Sequence, residues 1–295
     1  MKVSKIFSLL AVVLLISTLA AKAGVYEDYI ERYSGMAMQE QTAAGIPASI
    51  TLAQGLLESS AGRSTLATRG NNHFGIKCHS DWEGDTLLRS DDAPDECFRC
   101  YADASESFRD HSRFLQRKRY ESLFRLPPTD YAAWAAGLSK CGYATDPNYA
   151  SRLISIIERY ALFLYDTPGG HLSEDVADFI STMLRDTHPV RRSRGLHYVI
   201  ASPGDTYGSI AKELGMNKKK LMEYNDARRD DEIKEWEEVY LEPKRDEAPE
   251  KVESATIGEG ESMHSISQRY GIKLARLRQL NPDAEDSPGS RLRLR

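Results

Sequence analysis

The sequence predicts an α+β protein: a mostly helical N-terminal domain with a small β insertion, followed by two βααβ units. Three observations support this class. Apolar residues recur at helical spacing through most of residues 26–165, a polar and strand-like stretch interrupts them at 76–101, and residues 198–294 contain an internal repeat. A chain of 295 residues is long enough for two or three domains.

The helices of the N-terminal half are predicted from apolar spacing and from breaking residues. Residues 26–41 form the first helix, and Gly45 and Pro47 separate it from the second, because proline suits the first turn of a helix. The buried stripe expected on the second helix consists of Ile50, Ala53, Leu56 and Leu57. Further helices are expected at 105–116, 131–138 and 149–164.

The insertion at residues 76–101 has the composition of a β-hairpin. Its strand-forming and apolar residues are Trp82, Thr86, Leu87, Leu88, Cys97 and Phe98. A turn sequence of acidic residues, alanine and proline at 91–95 divides them. We expect a small β-lobe here.

The repeat in the last third has a period of 56 residues. Residues 204–211 (GDTYGSIA) recur as 260–267 (GESMHSIS). Each copy begins and ends with an apolar strand, which predicts a βααβ unit. Asp205 and Glu261 are expected at helix starts, where a carboxylate accepts free backbone N–H groups. Because neither copy has a titratable cluster suited to catalysis, the repeat predicts binding.

The composition excludes some classes of function. A net charge of -5 argues against a main partner that is nucleic acid, since phosphate binding needs concentrated Lys and Arg. The stretch 209–217 resembles a helix-turn-helix, but the acidic balance and the predicted export disfavour a DNA-binding regulator. No nucleophile elbow, phosphate-binding glycine loop or histidine cluster with metal spacing is present, so we predict no cofactor and no metal.

The first residues predict export. Lys2 and Lys5 precede an apolar run at 6–19, and small residues at Ala21 and Ala23 suit a signal peptidase. The run is short for a membrane span of about 20 residues. We therefore expect a cleaved signal peptide and a periplasmic or secreted protein, without a transmembrane segment after cleavage.

The four cysteines are predicted to form two disulfides in that oxidising compartment. Of the three possible pairings, Cys78–Cys97 with Cys100–Cys141 is favoured, because the first pair would close the hairpin-like insertion. The alternative is a zinc site, since Cys97 and Cys100 have metal-ligand spacing and His79 is near.

These patterns divide the chain into six predicted segments. They are a signal peptide at 1–23, a catalytic domain at 24–166, a linker with a short helix at 167–195, module 1 at 196–243, a charged linker at 244–253 and module 2 at 254–295.

Four motifs in order resemble glycoside hydrolase family 73. They lie at 53–59 (AQGLLES), 71–77 (NNHFGIK), 98–111 and 142–150. The resemblance covers residues 26–165 and implies a lysozyme-like fold and a glucosaminidase that cuts peptidoglycan. The βααβ repeats resemble LysM modules, which bind glycans containing N-acetylglucosamine. In module 1, the segment 226–238 is unusually charged.

The resemblance implies that Glu58 is the general acid, which must carry a proton near neutral pH. Glu58 follows Leu56 and Leu57 near the end of a buried helix, where desolvation raises a carboxyl pKa. The second group stays open. Asp91 or Asp92 in the β-lobe is one candidate, and substrate assistance supported by Tyr143 or Tyr149 is the other.

The remaining expected site residues contact sugar. Asn71, Asn72 and Phe74 are expected to shape the floor of the cleft and to contact the substrate. Binding residues of the two modules are expected at matched positions of the repeat: Gly204, Asp205, Thr206 and Asn225 in module 1, and Gly260, Glu261, Ser262 and Asn281 in module 2.

Two alternatives to a glucosaminidase are kept. A muramidase or lytic transglycosylase would share the fold and cut the other bond of the alternating glycan. A non-catalytic wall-binding protein would have the same modules and an inactive hydrolase domain, and the presence of Glu58 disfavours it.

Overall fold

Helices build most of the N-terminal half in the computed structural model, which describes residues 24–80, 82–91, 93–167, 187–230, 233–248 and 252–295. The predicted signal peptide, Asp92 and the predicted linker helix therefore lie outside the described residues. Within the described ranges, no helix has both the length and the apolar character needed to cross a bilayer.

The N-terminal half begins with three helices, of which the second is buried. They are α1 (Val25–Ala44), α2 (Ala48–Glu58) and α3 (Thr65–Gly70). Helix α1 ends at Gly45, whose positive φ of 78° lets its N–H reach the Gln41 carbonyl at 2.8 Å. Every residue at 48–56 of α2 is buried, so this helix forms the centre of the domain.

The other helices of this half pack around α2. They are α4 (Ala104–Leu115), a 3₁₀ helix (Lys118–Arg125), α5 (Tyr131–Lys140), α6 (Tyr149–Arg159) and a second 3₁₀ helix (Leu162–Asp166). The buried Asp166 carboxylate accepts hydrogen bonds from the Ser49 N–H and hydroxyl, at 2.8 and 2.6 Å. Asp166 thereby binds the start of α2, where Pro47 offers no side-chain cap.

The predicted β-lobe is present. Strands β1 (Thr86–Arg89) and β2 (Glu96–Arg99) pair antiparallel, with Leu88 opposite Cys97. The predicted Cys78–Cys97 disulfide is confirmed, with a Cα–Cα distance of 5.3 Å. Because Cys97 is in this disulfide, it cannot serve the alternative zinc site.

The predicted Cys100–Cys141 disulfide is wrong, and both thiols are free. The two cysteines lie in different surroundings. Cys100 follows β2 and packs at Gly70, with its N–H bonded to the Asp85 carbonyl. Cys141 ends α5, and its carbonyl accepts from Arg119. Their spacing in the sequence gave no information about this separation.

Both repeats fold as βααβ units, which confirms the predicted α+β class. Module 1 contains β3 (Arg191–Ser193), β4 (Leu196–Ile200), α7 (Tyr207–Glu213), α8 (Lys218–Tyr224) and β5 (Glu238–Tyr240). Module 2 contains β6 (Ser254–Thr256), α9 (Met263–Tyr270), α10 (Leu274–Leu280) and β7 (Arg291–Arg293). Strand β3, which the sequence analysis did not predict, adds a third strand to the module 1 sheet.

The helix caps of the modules differ from the prediction. Thr206 and Ser262 are the N-caps, and each forms a capping box with the serine three residues later. Asp205 and Glu261 instead accept the loop N–H groups of Ser202 and Gly258, at 2.5 and 3.0 Å. The acidic residues thus shape the turn before each helix.

Module 1 packs directly on the helical domain. Trp236 stands edge-on to Tyr26, with ring centroids 5.6 Å apart, and donates from its indole to the Tyr26 hydroxyl at 3.1 Å. Arg152 of α6 forms a bidentate ion pair with the fully buried Glu238 of β5, at 3.0 and 2.9 Å. The two units therefore share one core.

Module 2 packs against module 1 through the segment predicted as a charged linker. Lys244 is buried, and its ammonium donates to Ser267 Oγ at 2.6 Å and pairs with Asp226 at 2.8 Å. The Gln268 amide donates to the Glu238 carbonyl at 3.0 Å. These contacts hold the second repeat against the first.

We expect the unfolded, unreduced chain to alkylate at Cys100 and Cys141 alone, because Cys78 and Cys97 are bonded. Peptide mass analysis before and after reduction measures this. Labelling at neither Cys100 nor Cys141 before reduction would show that they pair.

Replacing Cys78 and Cys97 by Ser should lower the free energy of unfolding by about 2–4 kcal/mol, with Cys141→Ser as the control.

We expect Arg152→Met to lower the free energy of unfolding by about 3–5 kcal/mol, because it leaves the Glu238 carboxylate buried without its partner. Denaturant unfolding measures the loss. Adding Glu238→Gln should recover part of it, since no uncompensated charge then remains on β5. Equal stability of Arg152→Met and of the exposed-site control Arg109→Met would contradict this account.

Candidate active site

A cavity of about 1110 Å³ lies between the end of α2, the β-lobe, the segment before α6 and module 2. Four residues predicted for catalysis or sugar contact line it together: Glu58, Asp91, Tyr143 and Tyr149. Phe74 and Glu261, predicted for sugar contact, also line it. The cavity thus gathers residues that are far apart in the sequence.

The end of α2 places Glu58 at the cavity wall. Glu58 is the last residue of this helix, and the chain then turns sharply through Ser60, Ala61 and Gly62, all with positive φ. The helix is fully buried up to Leu56, and Glu58 is its first residue that combines a carboxyl group with partial exposure. The charge is therefore placed at the boundary between core and cavity.

The surroundings of Glu58 favour its protonated form. Burial is the main cause that raises its pKa, from 4.5 to about 7, and the negative charges of Asp91 and Asp146 act in the same direction. The hydrogen bond from Tyr149 and the charge of Arg152 oppose them. The carboxyl is consequently mostly protonated below pH 7 and mostly ionised above it.

A chain of directed hydrogen bonds orients this carboxyl. The Tyr149 hydroxyl donates to Glu58 Oε1 at 2.8 Å and accepts from the Gln54 amide at 2.9 Å. Gln54 Oε1 in turn lies 3.0 Å from His111 Nε2. Because a carbonyl oxygen can only accept, His111 carries its proton on Nε2. Because Oε1 accepts the hydrogen bond from Tyr149, we assign the acid proton of Glu58 to Oε2.

The His111 imidazole stays neutral within this series of hydrogen bonds. It is fully buried, and burial lowers its pKa to about 3. Phe74 stacks on its ring with centroids 4.0 Å apart. A neutral imidazole contributes a fixed N–H donor without adding a positive charge near Glu58. Gln54 and His111 lie in two of the family motifs, but the sequence predicted no role for them, because only the fold brings them together.

The tyrosines of the cavity differ in their contact with Glu58. Tyr149 binds the carboxyl directly. Tyr143 stacks on the Tyr149 ring at 5.5 Å, and its hydroxyl donates to the Phe74 carbonyl at 3.4 Å. Tyr143 therefore presents its hydroxyl group beside the carboxyl rather than on it.

Acidic residues on both sides of the cavity face Glu58. Asp91 of the β-lobe is held by Lys77 at 3.1 Å. Asp146, which the sequence analysis did not select, lines the cavity and pairs with Arg152 at 3.1 Å. Asp91 is thus the β-lobe candidate for a second catalytic carboxylate, while the salt bridge to a buried arginine occupies Asp146.

Asn71 and Asn72 support the cavity from behind and are not among its lining residues. The Asn71 amide donates to the Tyr101 and Ala102 carbonyls. Asn72 is fully buried, and its amide bonds the backbone of Ile76 and Arg99. Direct sugar contact by these two residues stays a prediction.

The predicted module residues also separate into two groups. Asn225 and Asn281 each hold the end of a helix to the last strand of their module, through both amide atoms. This repeated use gives both residues a structural role, and their sugar contact stays a prediction. Gly204, Asp205 and Thr206, like Gly260 and Ser262, lie outside the residues that line the cavity, whereas Glu261 lies in its wall.

Across the part of the chain that the structure describes, no group of three or more His, Cys, Asp or Glu residues is placed to hold a metal ion.

Comparison with known sequences identifies families for both halves of the chain. Residues 34–162 match the glucosaminidase family, described as mannosyl-glycoprotein endo-beta-N-acetylglucosaminidase. Residues 200–235 and 255–294 match the LysM domain.

Two curated relatives match the N-terminal half. The exo-glucosaminidase LytG of Bacillus subtilis is 34% identical over 152 residues, which are 47% of this chain and 52% of that protein. The peptidoglycan hydrolase FlgJ of Vibrio parahaemolyticus is 32% identical over 151 residues, 47% of this chain and 49% of that protein. The chain thus spans about half the length of these relatives.

Among solved structures, the glycoside hydrolase domain of Salmonella typhimurium FlgJ aligns with 28% identity and a TM-score of 0.41. The alignment covers 55% of this chain and 99% of that domain.

We expect Tyr149→Phe to raise the pKa of Glu58, because it removes the hydrogen bond that stabilises the ionised carboxylate. The carboxyl would then stay protonated to a higher pH than in the wild type. A carbon NMR titration of the Glu58 carboxyl measures the change. Tyr143→Phe is the matched control, since its hydroxyl bonds Phe74 instead. An equal rise in both variants would refute the assigned bond.

Proposed function

We propose that this chain, whose residues 34–162 belong to the glucosaminidase family and whose C-terminal part contains two LysM domains, hydrolyses the peptidoglycan glycan strand on the reducing side of N-acetylglucosamine. The observation that carries the proposal is the Glu58 carboxyl, with its pKa raised to about 7, in the wall of a cavity of about 1110 Å³.

The geometry supports general acid catalysis. Breaking a glycosidic bond requires a proton on the leaving oxygen as the bond opens. Glu58 holds that proton near neutral pH, and Tyr149 fixes Oε1, so the proton leaves from Oε2. The rate of this step falls as the pH rises through about 7, because the acid is then ionised.

The second catalytic group has two candidates. In the inverting route, Asp91 accepts a proton from the attacking water, and the ion pair with Lys77 holds the Asp91 carboxylate in place. In the substrate-assisted route, the acetamido oxygen of the sugar attacks its own anomeric carbon as the leaving oxygen takes the Glu58 proton. The Tyr143 hydroxyl oxygen accepts a hydrogen bond from the acetamido N–H, which gains positive charge in this step. Asp92 remains a further candidate in the β-lobe, outside the described residues.

The LysM domains point to a wall substrate. Binding modules on the same chain raise the local concentration of glycan at the catalytic cleft without adding catalytic groups. We place the protein at the cell wall, exported to the periplasm or medium by the signal peptide predicted at 1–23. The hydrolysis uses water and the residues of the cavity and needs no cofactor.

A muramidase or a lytic transglycosylase would use the same acid on the other bond of the glycan. The family match of residues 34–162 favours the N-acetylglucosaminidase bond, and the products decide. New reducing ends of N-acetylglucosamine support the proposal. Reducing muramic acid indicates a muramidase, and anhydro-muramic ends indicate a transglycosylase.

We expect Glu58→Gln to lower kcat on purified peptidoglycan by about 10²–10⁴-fold, because the amide cannot donate the acid proton. Release of reducing ends measures the rate, and mass analysis identifies the sugar at each new end. Glu31→Gln, on the exposed face of α1, is the matched control and should retain the wild-type rate. Full activity of Glu58→Gln would remove this residue from the mechanism, whereas absence of cleavage by the wild-type chain would favour the wall-binding alternative.

A further inference from the structure

Module 2 forms one wall of the cavity that contains Glu58. Its lining residues include Thr256 at the end of β6, Glu261 before α9 and Arg291 at the start of β7. Glu58 and Tyr149 of the catalytic half line the same cavity. A module expected to bind wall glycan thus faces the candidate catalytic residue across the same space.

The β-lobe holds module 2 in this position. Arg89 pairs with Glu259 at 2.6 Å, and the Glu259 N–H donates to the Ser90 carbonyl at 3.1 Å. Gly289 of the loop before β7 packs at Pro94. Two loops of the module therefore contact the tip of the hairpin, which bridges the cavity.

Module 1 holds module 2 from behind. His264 Nε2 lies 2.9 Å from the Asn225 carbonyl of module 1, and the Asn148 amide of the catalytic half reaches the Arg269 carbonyl at 3.5 Å. Lys244 and Gln268 add buried polar contacts in the same interface. Module 2 is therefore fixed to the catalytic half on several sides, unlike a module on a free tether.

The module wall carries groups suited to sugar. Arg291 is exposed, and its guanidinium is positioned by two hydrogen bonds to Ser254 Oγ, at 3.1 and 3.0 Å. Its remaining N–H groups can donate to hydroxyl, acetamido or carboxylate oxygens. Ser254 and Arg291 also line a second cavity with Arg293 and Arg295, so the groove continues beyond the first one.

We infer that module 2 and the catalytic half together form one substrate cleft, which we call the composite cleft. A glycan strand whose scissile bond lies at Glu58 contacts Arg291 of module 2 at the same time. This inference rests on the proposed function and extends it. The module is then a part of the catalytic cleft, and its contribution appears with substrates too short to reach a remote anchor site.

The first test measures binding to the full chain carrying Glu58→Gln, with tetrasaccharide fragments of the glycan strand as the probe. Adding Arg291→Ala should weaken the affinity by about tenfold, as expected for the loss of a charged hydrogen bond. Arg278→Ala is the matched control, since Arg278 is an exposed arginine of module 2 that lines neither cavity. Equal affinities of the two variants would overturn the inference.

The second test asks whether the docked position matters. Arg89→Glu and Glu259→Arg each place like charges together, and each should raise the KM for the tetrasaccharide several-fold by separating the module from the β-lobe. The chain with both substitutions restores opposite charges and should recover the wild-type KM. Absence of recovery, or no effect of either single change, would contradict the composite cleft.

These outcomes are separate from those of the proposed function. Binding to the Glu58→Gln chain decides the composite cleft without any catalysis. Cleavage by the wild-type chain decides the function. A chain that binds through Arg291 but releases no reducing ends would support the composite cleft and refute the hydrolase function. Cleavage by a chain in which Arg291→Ala has no effect on binding would support the hydrolase function and refute the composite cleft.

Discussion

The burial of one carboxyl group at the end of a buried helix is the constraint on which the site depends. Helix α2 is the centre of the N-terminal half, so its last residue, Glu58, cannot be fully solvated unless the domain opens. Among the residues that the structure describes, one directed donor, Tyr149, compensates for this burial, and no positive charge contacts the carboxyl. A contacting lysine or arginine would stabilise the ionised form and lower the pKa. A neutral donor orients the carboxyl and still leaves its pKa near 7.

The docking of module 1 contributes to the same electrostatic balance. Arg152 is the positive charge that lowers the pKa of Glu58, and it is buried between Asp146 and Glu238. Glu238 belongs to the sheet of module 1, so the module supplies a carboxylate that neutralises an arginine of the catalytic half. The ion pair that packs module 1 on the catalytic half therefore also fixes the position of a charge that acts on Glu58. The docking of module 1 and the pKa of Glu58 therefore both depend on Arg152.

The features that the sequence predicted correctly depend on residues close together in the chain or on the repeat. The features that it did not predict depend on contacts between residues far apart in the chain. The hairpin, the βααβ repeats and the Cys78–Cys97 pair follow from patterns within about twenty residues or from direct repetition. The role of Gln54 and His111 depends on α2 meeting α4, which no periodicity reports. The free thiols of Cys100 and Cys141 have the same cause, because pairing depends on distance in space.

The two repeats show how matched positions come to serve different ends. Asn225 and Asn281 keep one structural role in both copies, and so do the capping boxes at Thr206 and Ser262. The acidic positions beside those caps diverge. Asp205 accepts a hydrogen bond from His188 and lies away from the cavity, whereas Glu261 lies in the cavity wall. Repetition therefore conserves what holds each module together, and docking decides which module meets the substrate. Module 1 is bound to the catalytic half through Glu238 and Trp236, and this fixed position is what brings module 2 to face Glu58.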